Sequence, residues 1–404
     1  FFYYQSGYSS YLADTLQVPG HVQLRFQEAD NIPQVAKRKW AIGNVDIDMR
    51  RNYGDTLRNT VKVRHLAVNY NGRRPPIRVG TILRNMRLMP GQPYSYLGHQ
   101  ESANRLSSTG LFSLVDFNFT PRDTTGACDT LDLRLNLLFD KPYDFYIQGN
   151  ITGKTNNRIG PGVTVGLTKR NAFRGGELLD INLKGSYEWQ TGHQADGTSS
   201  KLNSYEYGID ASLQFPRLIL PWSKQIRRWM WRRAQKTHFF SAPTTKLKFS
   251  SDIIRRSNYF TRHIVSGEWT YELQTSATSR HQWSPLNFSF EYMRRSSAAF
   301  DSVMRVNPYL FYTMRDQFIP RMQYVYTYTS PSTVLNPIWW QTTVSESGNL
   351  LSLGYMVAGH KWGEKNKQLF NNPSAQFLKI APEIVKTSKL SAHSSLVGPV
   401  AAGS

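Results

Sequence analysis

Arginine and tryptophan form the densest chemistry in this chain of 404 residues. Gln225–Arg233 carries Arg227, Arg228, Arg232 and Arg233 around Trp229 and Trp231. Guanidinium groups bind phosphate oxygens and indole rings settle at a lipid–water boundary, so the segment suits anchoring at a membrane surface. Docking of a partner, an ordinary solvated hairpin and nucleic-acid contact stay open as other readings. Catalytic chemistry is harder to find. The nine histidines are scattered without ligand-like spacing, and Cys128 is the sole cysteine, so no internal disulfide or cysteine metal cluster is expected. No Gly-x-Ser-x-Gly elbow, phosphate loop or dinucleotide fingerprint occurs. The residues therefore read as a non-enzymatic protein with no catalytic residue, no metal and no cofactor.

The elements that carry these residues show themselves by period two. From Ser204 to Phe215, Tyr205, Tyr207, Ile209, Ala211, Leu213 and Phe215 fall on one side and Glu206, Gly208, Asp210, Ser212 and Gln214 on the other. Such a strand crosses a membrane with its apolar face outward and its polar face inward. The pattern recurs over 143–151, 163–167, 179–189, 245–253, 265–273 and 322–328, and more weakly at 285–292, 349–357 and 375–386. About ten strands are expected, with no sustained helical period after Tyr143. Arg170–Glu177 reads as a tight turn and 191–202 as a longer polar one, the asymmetry of short turns on one side and long loops on the other.

Composition is consistent with that reading. Mean hydropathy is −0.48 and hydrophobic residues make up 40%, which excludes a helical membrane protein but not a barrel. The chain holds 22 Tyr, 21 Phe and 10 Trp, enough for aromatic girdles. Net charge is +21, spread through turns and polar strand faces, so a basic lumen or anionic headgroups explain it as well as nucleic acid does. Lumen-side charges such as Asp180, Lys184, Glu188, Asp210, Lys246 and Lys248 would keep the interior wet.

The stretch before Tyr143 is different. Ile42, Val45, Ile47 and Met49 suggest a strand, Leu66–Tyr70 a second piece before a turn at Asn71-Gly72, 77–86 and 96–108 two helices, and 112–119 and 131–139 two strands. Two helices over one face of a three-stranded sheet make a small α+β domain. Residues 1–39 read as the tail of a preceding domain, and both ends of the chain as those of a fragment or a processed protein.

This order, followed by Gly160-Pro161-Gly162-Val163 and Asn171-Ala172-Phe173-Arg174-Gly175-Gly176-Glu177, resembles the outer-membrane assembly and translocation family with POTRA domains (BamA/TamA-like). Leu88-Met89-Pro90-Gly91 resembles that family's turn between a helix and the next, and Gly110-Leu111-Phe112-Ser113-Leu114-Val115 its G-x-F-x-x-V strand entry. The Trp339-Trp340 pair and the long aromatic insertions are most similar to the Bacteroidetes-type TamA-like branch, whose member can be a lipoprotein. The family's late Arg-Gly-aromatic motif on a lumen loop is not found, and about six strands of its sixteen-stranded barrel are missing.

The resemblance implies a last POTRA domain at 40–141 and the N-terminal part of an outer-membrane β-barrel at 142–404. It implies a lateral seam at the first barrel strand, with Tyr143, Phe145, Ile147, Gly149, Ile151 and Gly153. It further implies a periplasmic hairpin with Asn171, Phe173, Arg174, Gly175, Gly176 and Glu177. Phe112, Val115, Phe117 and Phe119 would be a POTRA strand edge able to augment a partner's strand. The implied function is insertion or translocation of client outer-membrane proteins. The implied partners are those clients, outer-membrane lipid or lipopolysaccharide, and a TamB-like or accessory periplasmic protein, with no nucleic acid. The implied location is the outer membrane of a Gram-negative bacterium with the N-terminal domain in the periplasm. A passive uptake pore is the alternative.

Overall fold

Leu131, Leu133, Leu135 and Leu137 alternate with Asp132, Arg134 and Asn136, so one face of their strand must meet a core while the other meets water. In the computed structural model this strand belongs to the first of two units. Residues 9–14, 23–28, 39–63, 65–123, 129–154, 158–190, 204–219, 241–256, 259–331, 333–349, 376–391 and 394–403 are described, with 352, 356, 368–369 and 372–373. One unit comprises Phe1–Lys141 with Arg174–Gly176 and Phe240–Ala242. The other comprises Pro142–Phe173, Glu177–Phe239 and Pro243–Ser404.

The first unit opens with an antiparallel pair, β1 (Ser9–Asp14) and β2 (Gln23–Glu28). Then come β3 (Ala41–Arg50), β4 (Asn59–Val63), β5 (Leu66–Tyr70), α1 (Val79–Asn85), α2 (Tyr96–Ser107), β6 (Phe112–Pro121) and β7 (Thr130–Phe139). The sheet order is β4-β5-β3-β7-β6, with β3 parallel to both β5 and β7. Trp40, Ile47, Val68, Ile82, Leu88, Tyr94, Leu106 and the β7 leucines form its core. Ser95 caps α2 by accepting the Gly98 N–H, and Gly110 leaves that helix with a φ of 65°. The expected three-stranded sheet is corrected to five strands. Asn59–Val63 is short and polar, so it carries no period of its own and becomes a strand by pairing with β5.

In the second unit one antiparallel meander holds β8 (Tyr143–Lys154), β9 (Arg158–Arg170), β10 (Leu178–Gln190), β11 (Ser204–Phe215), β12 (Thr244–Arg256), β13 (Phe260–Gln274), β14 (Ser279–Ser296), β15 (Gln317–Thr329) and β16 (Ile338–Ser347). The two-residue strands β17 (Gln368–Leu369) and β18 (Asn372–Pro373) pair with each other, and β19 (Phe377–Lys389) and β20 (Ser395–Ala401) complete the meander. Eleven strands thus share this sheet, and among the described residues β8 and β20 are its two edges.

Three expectations change here. The strand anticipated at 349–357 lies instead at Ile338–Ser347, and Asn349, Ser352 and Met356 are helical. Ser395–Ala401 adds a strand without the aromatic pattern that would have marked it. Helices do occur beyond Tyr143: α3 (Ala298–Val306) and α4 (Pro308–Met314) join β14 to β15. Both are too short for their period to stand out, although Ser297 caps the first by accepting the Phe300 N–H. Phe300 anchors them, packing its ring 4.9 Å from that of Phe260.

The end of the sheet where β8 begins is here the near end. Its connections 171–177, 275–278, 330–337 and 390–394 are short, and 216–243 is long. The far end carries the long 191–203, 297–316 and 348–376 but also the short 155–157 and 257–259, so the expected asymmetry holds only in part, with 216–243 long at the near end.

Candidate functional site

The sheet of the second unit is inverted relative to a soluble one. Ser204, Asp210, Ser250, Thr270, Ser284 and Ser345 are buried, whereas Ile147, Val163, Leu183, Ile209, Phe249 and Ile380 are 40% to 66% exposed. In water, leaving those six side chains half exposed would forfeit on the order of 5–10 kcal/mol. That rivals the whole stability of a domain, so this face requires a non-aqueous neighbour. Aromatic side chains mark both ends of the same face: Tyr143, Phe145, Trp283, Tyr324 and Trp340 near the start of β8, Trp189, Tyr205 and Tyr207 at the far end.

Many groups of the polar face pair with one another. Lys184 pairs with Asp210, and Thr168 donates to Asp180 at 3.0 Å. Tyr146 donates to Asn182 at 2.8 Å, laying its ring across Gly166, where a Cβ would come within 2.1 Å of it. Thr270 links Glu268 at 2.6 Å and Ser284 at 2.8 Å, and Arg262 is ion-paired with Glu291. Bonds to neighbouring strands replace water for these buried groups, as a polar interior demands.

β8 bounds this sheet. It pairs with β9 from Tyr143↔Lys169 to Lys154↔Arg158, while its other side has no partner strand among the described residues. Tyr143, Phe145, Ile147 and Ile151 point outward and are 54% to 78% exposed. Gly149 and Gly153 share their face, and a Cβ at either would meet nothing within 4 Å. Asp144 on the polar face pairs with Arg170 at 2.5 Å. A strand with one open row of N–H and C=O groups templates another strand.

The turn 171–177 is built by conformations that few residues accept. Asn171 and Arg174 have φ values of 57° and 64°, and Gly176 84°. Ala172 donates its N–H to the Glu177 carbonyl at 2.9 Å, and Phe173 to the buried Glu177 carboxylate at 3.3 Å. Arg174–Gly176 belong to the first unit. There Arg174 Nη2 donates to the Pro75 carbonyl at 2.7 Å, and the Arg174 carbonyl accepts the Arg78 N–H at 2.8 Å. Thr81 Oγ1 donates to the Gly175 carbonyl at 3.3 Å. Phe173 is exposed.

β6 is likewise an edge of its sheet, but its aromatic residues face inward. Phe117 and Phe119 pack on the His99 ring of α2 at 4.9 and 5.2 Å, and Phe112 and Val115 lie against the core. What β6 offers is its backbone and the exposed Leu114. Burial keeps the His99 imidazole below its usual pKa, pushes the Tyr94 phenol up to about 12, and lowers Arg105 to about 10 with help from the neighbouring Arg87 charge. Asp132 is raised by burial but lowered more by the Arg122 guanidinium and the Asn44 N–H, so it lies below the ordinary carboxylate range.

Arg227, Arg228, Trp229, Trp231, Arg232 and Arg233 lie outside the described residues. Among the described residues, no group of three or more His, Cys, Asp or Glu could hold a metal, and no helix is long and apolar enough to cross a membrane. Sequence reading missed a chain on the outward face in which His263 Nε2 lies 2.8 Å from Ser251 Oγ and its Nδ1 2.5 Å from the Tyr292 hydroxyl. These residues come from three strands, and only register brings them together.

No known family profile matches the sequence, and neither does any curated protein. Solved structures are similar at a distance. BamA from Haemophilus ducreyi lacking POTRA domains 1–3 is 10% identical, with a TM-score of 0.28 over 98% of this chain and 86% of that one. CdiB from Acinetobacter baumannii is 11% identical, with a TM-score of 0.39 over 98% and 67%. CdiB from Escherichia coli is 9% identical, with a TM-score of 0.43 over 89% of this chain and 54% of that one. Likeness at this level assigns no family.

Proposed function

We propose that the second unit is part of an outer-membrane β-barrel that inserts or translocates client outer-membrane proteins, with β8 as the strand that templates a client. The observation that carries this reading is the inverted sheet, apolar and aromatic outward and polar inward, in which β8 has no second partner strand among the described residues. Lipid supplies the apolar neighbour that the outward face requires, and an incoming strand supplies partners for the N–H and C=O groups of the edge. The Gly149 and Gly153 positions leave that strand weakly committed to any one partner.

The first unit is read as a periplasmic POTRA-type domain that receives clients or accessory proteins. Its support is the order strand, helix, helix, strand, strand from β3 through α1, α2, β6 and β7, in which β7 lies between β3 and β6. Hairpin β4–β5 is an addition to that order. Catalysis has no part in this proposal.

The test is photo-crosslinking in cells, with a reactive amino acid at Gln148 or Asn150 of β8 and, for comparison, at Lys248 in the interior strand β12. Adducts with outer-membrane proteins in the course of assembly are expected from the β8 positions and not from β12. Equal yields at the two strands, or none at β8, would sink the templating role. A passive channel, which the charged inner face would also suit, predicts steady conductance and no client adducts.

A further inference from the structure

On the outward face of β12, β13 and β14, strand register stacks three rows toward the far end. The lowest row runs from Ile209 of the neighbouring β11 through Ser251 to Val265 and Phe290, apolar except for Ser251, whose hydroxyl is bonded to His263 of the row above. One step farther along, His263 lies beside Tyr292 and bonds to its hydroxyl at 2.5 Å and to Ser251 at 2.8 Å. The next row holds Arg255 opposite Thr261, and Thr261 opposite Arg295. Both arginines are exposed, and neither has a carboxylate or hydrogen-bond partner among the described residues. An imidazole held by two hydroxyl groups fits the depth at which hydrocarbon gives way to headgroups, since its polar atoms are occupied and its ring still packs on tyrosine. Two unpaired guanidinium groups one row above it fall at the depth of lipid phosphates.

We propose that Arg255 and Arg295 form a lipid-phosphate site at the far end of the outward face, with Tyr292 and His263 flooring it at the hydrocarbon boundary. This inference rests on the membrane reading of the sheet, and its occupant is the phosphate of an outer-leaflet glycolipid. Charge complementarity selects the phosphate, and reading the segment that leads into the near end of β8 as periplasmic makes the far-end leaflet the outer, glycolipid one. No acidic residue shares the arginine row, the two cations flank a single strand, and a guanidinium presents paired N–H donors to phosphate oxygens. Such a contact would order the glycolipid beside β12–β14 and fix the depth of this wall.

The full-length protein reconstituted in phosphatidylethanolamine vesicles provides the test, with lipid A bearing both phosphates or none as the added probe. Co-purifying lipid would be counted by native mass spectrometry. Bisphosphorylated lipid A should be enriched over the dephosphorylated form, and the R255S/R295S double variant should lose that enrichment by roughly tenfold or more. Lys169→Ser, which removes an outward cation at the near end, should leave it unchanged. Equal enrichment in the double variant, or none in the parent, overturns the site. Insertion is read separately by the fraction of protein that resists carbonate extraction. A protein that fails to insert even into neutral vesicles overturns the membrane reading, whereas normal insertion without phosphate preference overturns the site alone.

Discussion

His99 carries the clearest pH consequence at the level of single residues. Burial against Phe117 and Phe119 depresses its pKa, so the folded domain keeps a neutral imidazole where the unfolded chain would take up a proton. The stability associated with this state is complete above the ordinary imidazole pKa and is lost as pH falls from there through the depressed folded value. Thermal unfolding of the first unit should therefore shift to lower temperature as pH falls below about 6.5, the ordinary imidazole value. In His99→Phe the acid slope should flatten, and an unchanged slope would assign the effect elsewhere. That α2 turns a face to β6 was legible from the helix and strand patterns. That a histidine would occupy the contact was not, because a lone histidine has no period.

Glycines separate two kinds of strand position within adjacent elements. On β9 a Cβ at Gly160 would come within 1.8 Å of the Tyr187 carbonyl oxygen, a backbone atom that cannot step aside. Gly160→Ala should cost about 1–3 kcal/mol, the range for overpacking, and lower the folded fraction that keeps its compact migration in unheated gels. On β8 nothing lies within 4 Å of a Cβ at Gly149, so Gly149→Ala should fold within about 0.5 kcal/mol of the parent. If that variant nevertheless slows client assembly, the weakness of the edge strand is functional. Strand identity itself was readable over 179–189, 204–215 and 245–253, where alternation runs longest. It failed at 338–347, where Trp339-Trp340 sets an aromatic side chain on both faces and hides the alternation.

For the whole molecule, the inverted sheet makes a prediction about depth. Proteins retaining one tryptophan each, at Trp189, Trp283 or Trp340, would be reconstituted with brominated lipids. All three should be quenched more strongly by bromine near the top of the acyl chains than by bromine at their ends, since the aromatic rings bracket the apolar band from both sides. Fluorescence indifferent to bromine would remove lipid as the neighbour of this face.

Period-two alternation is a local property, written within a dozen neighbouring residues, so the sequence by itself determined that the chain after Tyr143 is built of long strands with one apolar and one polar face. Local signals also placed α1, α2 and the strands at 112–119 and 131–139. Tertiary structure decided what depends on pairing between distant segments. The β4–β5 hairpin exists through its register with β3, and β8 becomes an edge only because every other strand in the meander from β9 to β19 finds two partners. The Arg255–Arg295 row and the Ser251–His263–Tyr292 chain arise the same way, since each residue is unremarkable in its own strand. Hydrogen-bond register across three strands is what sets them side by side.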